Sequence, residues 1–142
     1  MRNNVTFRYS ADFVGVDEDG GGILAVAGAQ WFLQLLGGVK GLAVDPELCQ
    51  EDWGVVAFAK RHGKRFWIGL SVYDDGVWIA HFHHASFAWL QRLRPSGKFE
   101  LNRLIADFHA VLSADHGISE IAWFPEREML KPNPQGFATP NE

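Results

Sequence analysis

A chain of 142 residues, 47% hydrophobic and 21% charged, is one domain's length and can bury a substantial core without metals or disulfides. Its single cysteine, Cys49, excludes an internal disulfide and a cysteine-based structural zinc site. The net charge of −4 argues against general nucleic-acid binding, yet residues 1–52 sum to −5, residues 53–104 to +5 and residues 105–142 to −4, a segregation that favours an oriented encounter with a charged partner.

In chain order, Val5, Phe7 and Tyr9 alternate with Thr6, Arg8 and Ser10, which predicts a first strand with one buried face. ADFVGVDEDGGG mixes acids with Gly20, Gly21 and Gly22 and reads as a loop. From Ile23 to Leu36 the sequence is apolar almost all round, as in a buried helix, with Asp19 as a possible cap. A glycine-rich lead into a helix invites a phosphate-loop reading, but no GxxxxGK[ST] or GxGxxG spacing is present and the preceding acids would repel phosphate. Gly37 and Gly38 stop the helix, and Gly41 to Val44 is expected to form a short strand.

Three strands are expected at Trp53 to Lys60, Arg65 to Tyr73 and Val77 to His84, all rich in Val, Ile, Phe and Trp. Gly63 and the Asp75-Gly76 pair supply tight turns, so the three should form an antiparallel meander. On the middle strand Phe66, Ile68, Leu70 and Val72 share the core face, and Trp67, Gly69, Ser71 and Tyr73 the other. After His84, Phe87, Trp89 and Leu90 should pack back on the sheet from a loop or short helical turn. Leu101, Leu104, Ile105, Phe108, Val111 and Leu112 recur at spacings of three and four, predicting a helix over 98–115. Ile118 to Phe124 has the composition of a closing strand. The domain then spans 1–124, and 125–142 is a Pro-rich tail expected to trail over the surface, with Phe137 its one residue suited to docking.

The order β-α-β-β-β-α-β implies an α+β two-layer sandwich, a mainly antiparallel sheet with two helices on one face, loosely ferredoxin-like. Such a fold hosts many functions. The N-terminal MRNNVTFRYS lacks an apolar signal core, and no apolar run reaches the roughly 18 residues of a membrane span, so a cytoplasmic location without membrane association is expected.

Several constellations could carry chemistry. His81 and His83, two apart on a strand, project in parallel about 7 Å apart, as paired metal ligands do, while His84 points the other way. A metal would need a third ligand from Glu51, Asp52 or His62. The bland reading is that these histidines stack and hydrogen-bond beside Trp residues. Glu51 and Asp52 could serve as acid and base, but neighbours on a strand point to opposite faces, and an exposed acidic turn with Trp53 as a core anchor suits them better. Lys60, Arg61, His62, Lys64 and Arg65, with Arg92 and Arg94, form a basic tip that could hold single-stranded nucleic acid, although no recognisable nucleic-acid-binding module accompanies it. Cys49 lies among acids that disfavour a thiolate, and no GxSxG elbow surrounds a serine.

The stretch QEDWGVVAFAKRHGKRFWIGLSVYDDGVWIAHF, about a quarter of the chain, resembles a pattern in small uncharacterised bacterial α+β proteins, with E-D-W-G leading into a basic turn and an R-F-W-I-G-L strand. Some bacterial proteins of this size and type are immunity proteins that block a toxin. What the resemblance implies is a partner rather than a set of catalytic residues.

Six Trp and eleven Phe exceed what a core this small requires. The expected function is therefore non-enzymatic binding of a protein partner, with toxin neutralisation as one version, through Trp67, Tyr73, Trp78, His81 and His83, with Arg61 and Arg65 beside them. No cofactor is expected. The alternative is a metal-binding protein or metal-dependent enzyme using His81 and His83.

Overall fold

The computed structural model describes residues 1–9, 14–16, 22–24, 26–85 and 95–141. Its centre is an open antiparallel sheet. The meander strands β6 (Gly54–Arg61), β7 (Lys64–Asp74) and β8 (Val77–His84) lie side by side, and β1 (Asn4–Tyr9) pairs with β8 and with β9 (Ile118–Phe124). Two short strands, β4 (Ala43–Val44) and β5 (Cys49–Glu51), share the other edge of β6. Among the described residues the sheet thus has seven strands, and the two main helices, α1 (Val26–Gly37) and α2 (Pro95–Ala114), pack against it. The fold is α+β, as the sequence implies.

Alternation decides which side of each strand is buried. Val5 and Phe7 of β1, Val55, Ala57 and Ala59 of β6, Phe66, Ile68 and Leu70 of β7, and Trp78, Ala80 and Phe82 of β8 meet the helices on one face. Opposite them stand Trp31, Phe32, Leu35 and Leu36 of α1 and Leu101, Leu104, Ile105, Phe108 and Leu112 of α2. Burial of this contiguous apolar surface is the main source of stability, at about 25 cal/mol per Å². The spacings of three and four read along α2 are the ones that turn inward.

The turns follow their residues. His62 and Gly63 both have positive φ (47° and 73°), the geometry of a two-residue hairpin turn that matches strand twist. At the next hairpin Gly76 has φ 66°. The β7–β8 register slips between Val72 and Asp74, so strict alternation ends there and Val72 is exposed despite its parity with the core residues.

Three stretches add to or depart from the sequence reading. Val14–Val16 and Gly22–Leu24 pair as a small antiparallel hairpin (β2 and β3) within the stretch read as loop and helix start. Valine and isoleucine favour extended backbone, and α1 accordingly begins at Val26. Cys49–Glu51 is a strand that its composition does not announce, because its pairing to Val56, Val55 and Gly54 is a backbone property. The C-terminal segment runs over the surface and docks through Phe137, as expected, but it also holds a short helix. Glu126–Met129 forms a single helical turn (α3), and Phe137 bridges to Trp123 through backbone hydrogen bonds of 2.7 and 2.9 Å. The Arg2 guanidinium lies 3.5 Å from the centre of the Phe137 ring and donates to the Thr139 carbonyl at 3.0 Å. Asp19, Phe87, Trp89, Leu90, Arg92 and Arg94 lie outside the described residues.

That clasp sets an expectation for truncation. Two backbone hydrogen bonds and one cation–π contact are together worth about 2 kcal/mol. Removal of residues 131–142 should therefore leave a folded domain less stable by about that amount in urea titration. An unchanged midpoint would show that the Phe137 bridge contributes nothing.

Candidate functional site

The sheet face turned away from α1 and α2 holds most of the candidate residues, arranged in rows set by the ladder. Lys60 stands opposite Arg65. Phe58, Trp67 and His83 form the next row across β6, β7 and β8. Val56, Gly69, His81, Asn4 and Phe124 form the row after it, running on to β1 and β9.

Gly69 is a notch in this surface. A β-carbon there would meet the Trp53 ring at 2.8 Å, so its absence lets the indole lie on the sheet. Trp53 then meets the His81 ring edge-on, with centroids 6.2 Å apart and planes at 88°. In the adjacent row Trp67 and His83 stack at 4.2 Å with planes 14° apart. The stacking and hydrogen-bonding role considered for the histidines is what the geometry shows. Trp53 is no core anchor: it is 46% exposed, on the open side. Phe58 is 41% exposed on the same side, and Tyr73 is 53% exposed at the bulge near the hairpin tip, where the bulge rather than alternation sets its direction. A hollow of about 460 Å³ adjoins this face, lined in part by Ala43, Asp45, Phe58, Lys60, Arg65 and Ala85.

His81 is the most constrained polar group. Its Nδ1 lies 2.6 Å from Asn4 Oδ1, while the Asn4 amide nitrogen donates to Asn3 Oδ1 at 3.2 Å and to the Phe124 carbonyl at 3.4 Å. With the Asn4 oxygen accepting, the His81 proton sits on Nδ1 and the lone pair on Nε2. Burial pushes the His81 pKa below its ordinary 6.5, His83 lowers it further, and Glu126 opposes both. Burial also lowers the pKa of His109, whose Nδ1 accepts from Trp123 Nε1 at 3.1 Å.

A pH dependence follows from these directions. Both histidines bind a proton more readily unfolded than folded, so their contribution is present above pH 6.5 and is lost as pH falls from 6.5 through the lower folded-state values. Melting temperature should decline as pH drops below about 6.5, and His81→Gln, which cannot take up that proton, should flatten part of the decline. An H81Q profile superimposable on wild type would remove His81 from the account.

Two of the residues assigned to the binding face are elsewhere. Trp78 is buried on the opposite side because it shares parity with Ala80 and Phe82, three positions from His81; it packs against Trp31 and donates Nε1–H to the Tyr9 carbonyl at 3.4 Å. Arg61 shares parity with Ala57 and Ala59, is 4% exposed, and pairs with Asp107 of α2. His62 pairs with Glu100 at 3.0 Å. The basic tip is thus divided, two of its members facing acids of α2 and Lys60 and Arg65 left on the open face. Trp67, Tyr73, His81, His83 and Arg65 remain at the site or its border, and Trp53 and Phe58 join them. Trp53 gave no sequence signal of this: it lies in the β5–β6 turn and reaches the open face because Gly69 leaves room for its ring.

For metal, His81 and His83 do share a face, and His84 turns to the core side against Phe66. Among the described residues no group of three or more His, Cys, Asp or Glu side chains is placed to hold a metal ion. Glu51 and Asp52 are exposed at the turn between β5 and β6. No described helix is long and apolar enough to cross a membrane. Comparison of the chain with protein-family models, with curated proteins and with solved structures found no match.

Proposed function

We propose that this protein binds a protein partner through the open face of its sheet, with Trp53, Phe58, Trp67 and Tyr73 as the apolar contact and Lys60 and Arg65 as its basic rim. The observation that supports this reading is the exposure of aromatic side chains on hydrogen-bonded strands or, for Trp53, packed against them from the β5–β6 turn, so that they are held in place before any partner arrives. Exposed aromatics with flanking arginine are the side chains that dominate association energies, and rigid strands lower the ordering cost of using them. Lys60 and Arg65 would select a partner carrying acidic groups at the matching rim. Neutralisation of a toxin is the concrete version that agrees with the size of the chain and with the resemblance of its meander.

The test is a Trp53→Ala/Tyr73→Ala double variant, in which both changes are at exposed positions and should leave the melting temperature within a few degrees. Wild-type protein recovered from its own cells should carry a stoichiometric partner by native mass spectrometry, and the variant should bind that partner at least about a hundredfold more weakly. For the toxin version, co-expression with the toxic partner should permit growth only with wild type. Equal recovery by wild type and variant would remove the face from the reading. A rise in melting temperature on adding zinc, abolished in His81→Ala, would favour metal binding instead.

A further inference from the structure

Beyond the sheet face, a further hollow lies where β9 ends and α2 begins. It has a volume of about 730 Å³, and its lining includes Arg2, Lys98, Asn102, Arg127, Phe137 and Pro140. Three cationic side chains and, among the described residues, no acidic one line it, in a chain whose net charge is −4. Glu126 borders two adjoining hollows, one shared with Arg127 and the other with Lys98, and Glu128 is held by Lys131 at 2.7 Å.

The cations reach this space from three separate parts of the chain. Arg2 precedes β1 and is buried, held against the Phe137 ring and the Thr139 carbonyl, so its charge is fixed before any ligand arrives. Lys98 and Asn102 stand one turn apart at the start of α2, where the helix end adds partial positive charge. Arg127 comes from α3 and is exposed, as is Lys98; neither forms an ion pair among the described residues. Lys98 and Arg127, exposed cations facing one concave space, raise the local concentration of anions there. Multiple donors converging on one space are also how proteins hold phosphate.

We propose that this hollow binds an organic phosphate of nucleotide size. Lys98 and Arg127 contact the phosphate oxygens, Asn102 offers its amide N–H groups, and the apolar part of the ligand lies against Phe137 and Pro140. A volume of about 730 Å³ falls within the range of small-molecule sites and exceeds what a bare phosphate fills.

Isothermal titration of the full chain with ATP at low salt tests this. The expected result is saturable one-site binding with a dissociation constant below about 1 mM. Lys98→Glu and Arg127→Glu, both at exposed positions, should each weaken it by about tenfold or more. Lys40→Glu changes the net charge equally from an exposed position after α1 that lines no part of the hollow, and should leave binding close to wild type. Absence of saturable binding, or an equal loss in K40E, would overturn the proposal. Wild-type melting temperatures in the three variants would show that the loss is of binding rather than of fold. Because Trp53 and Tyr73 line no part of this hollow, W53A/Y73A should bind ATP normally, which separates failure here from failure of the sheet-face reading.

Discussion

Leu104→Asp is expected to unfold the domain. Leu104 is fully buried on the inward side of α2, within the cluster that includes Leu101, Ile105, Phe108 and the core face of the sheet. The substitution removes a packed side chain and places a carboxylate among hydrocarbon. Loss of the leucine alone costs about 2–5 kcal/mol, and an unpaired buried acid adds several more, against a domain's total stability of about 5–15 kcal/mol. The measurement is the cooperative thermal transition followed by near-ultraviolet dichroism, which should be absent at 25 °C. A variant that melts within a degree or two of wild type would mean that α2 presents a different side to the sheet.

Gly54→Ala should be nearly as damaging, for a different reason. A β-carbon at Gly54 would lie 2.2 Å from the Leu70 carbonyl oxygen and 2.9 Å from Ser71 Cβ. The oxygen belongs to the backbone of the central meander strand and cannot swing aside as a side chain would, so β6 must part from β7 at its first residue. We expect a loss of more than about 3 kcal/mol in urea denaturation, at the upper end of single-substitution effects. Gly63→Ala is the control. It has positive φ (73°) but nothing within 4 Å of the added carbon, and should lose only about 1 kcal/mol. A loss at Gly54 no larger than that at Gly63 would show that the close approach of the strands is not what requires glycine at 54.

Much of the architecture was legible because period and burial coincide. Ile118 to Phe124 and Val77 to His84 are strands to the residue, and α2 turns Leu101, Leu104, Ile105, Phe108 and Leu112 inward. What was not legible depends on partners distant in sequence. Cys49–Glu51 has no side-chain pattern of its own and is a strand only because β6 lies beside it. Phe137 was readable as the residue suited to docking, but its receivers were not: Trp123 offers an open backbone edge, and Arg2, 135 positions away in the chain, reaches its ring. The candidate face was readable where parity alone decides, as for Trp67, His81 and His83. Parity also places Trp78 and Arg61 on the core side, where an aromatic surplus and a local run of positive charge pointed the wrong way. Tyr73 lies beyond parity, in a bulge created by the turn.

The position of β1 governs the order in which the protein can be completed. β1 is made before both of its neighbours, yet it is an interior strand of the finished sheet, with β8 on one side and β9 on the other. Neither neighbour exists until residues 77–84 and then 118–124 have been made, so at about 5–20 residues per second Val5 and Phe7 must wait several seconds for their places. The meander can pair locally in the meantime, whereas its joining to β9 through β1 requires closure of a loop of more than a hundred residues. β1 therefore remains an unsatisfied, partly apolar strand while the rest of the sheet is made, the kind of segment that chaperones are there to shield.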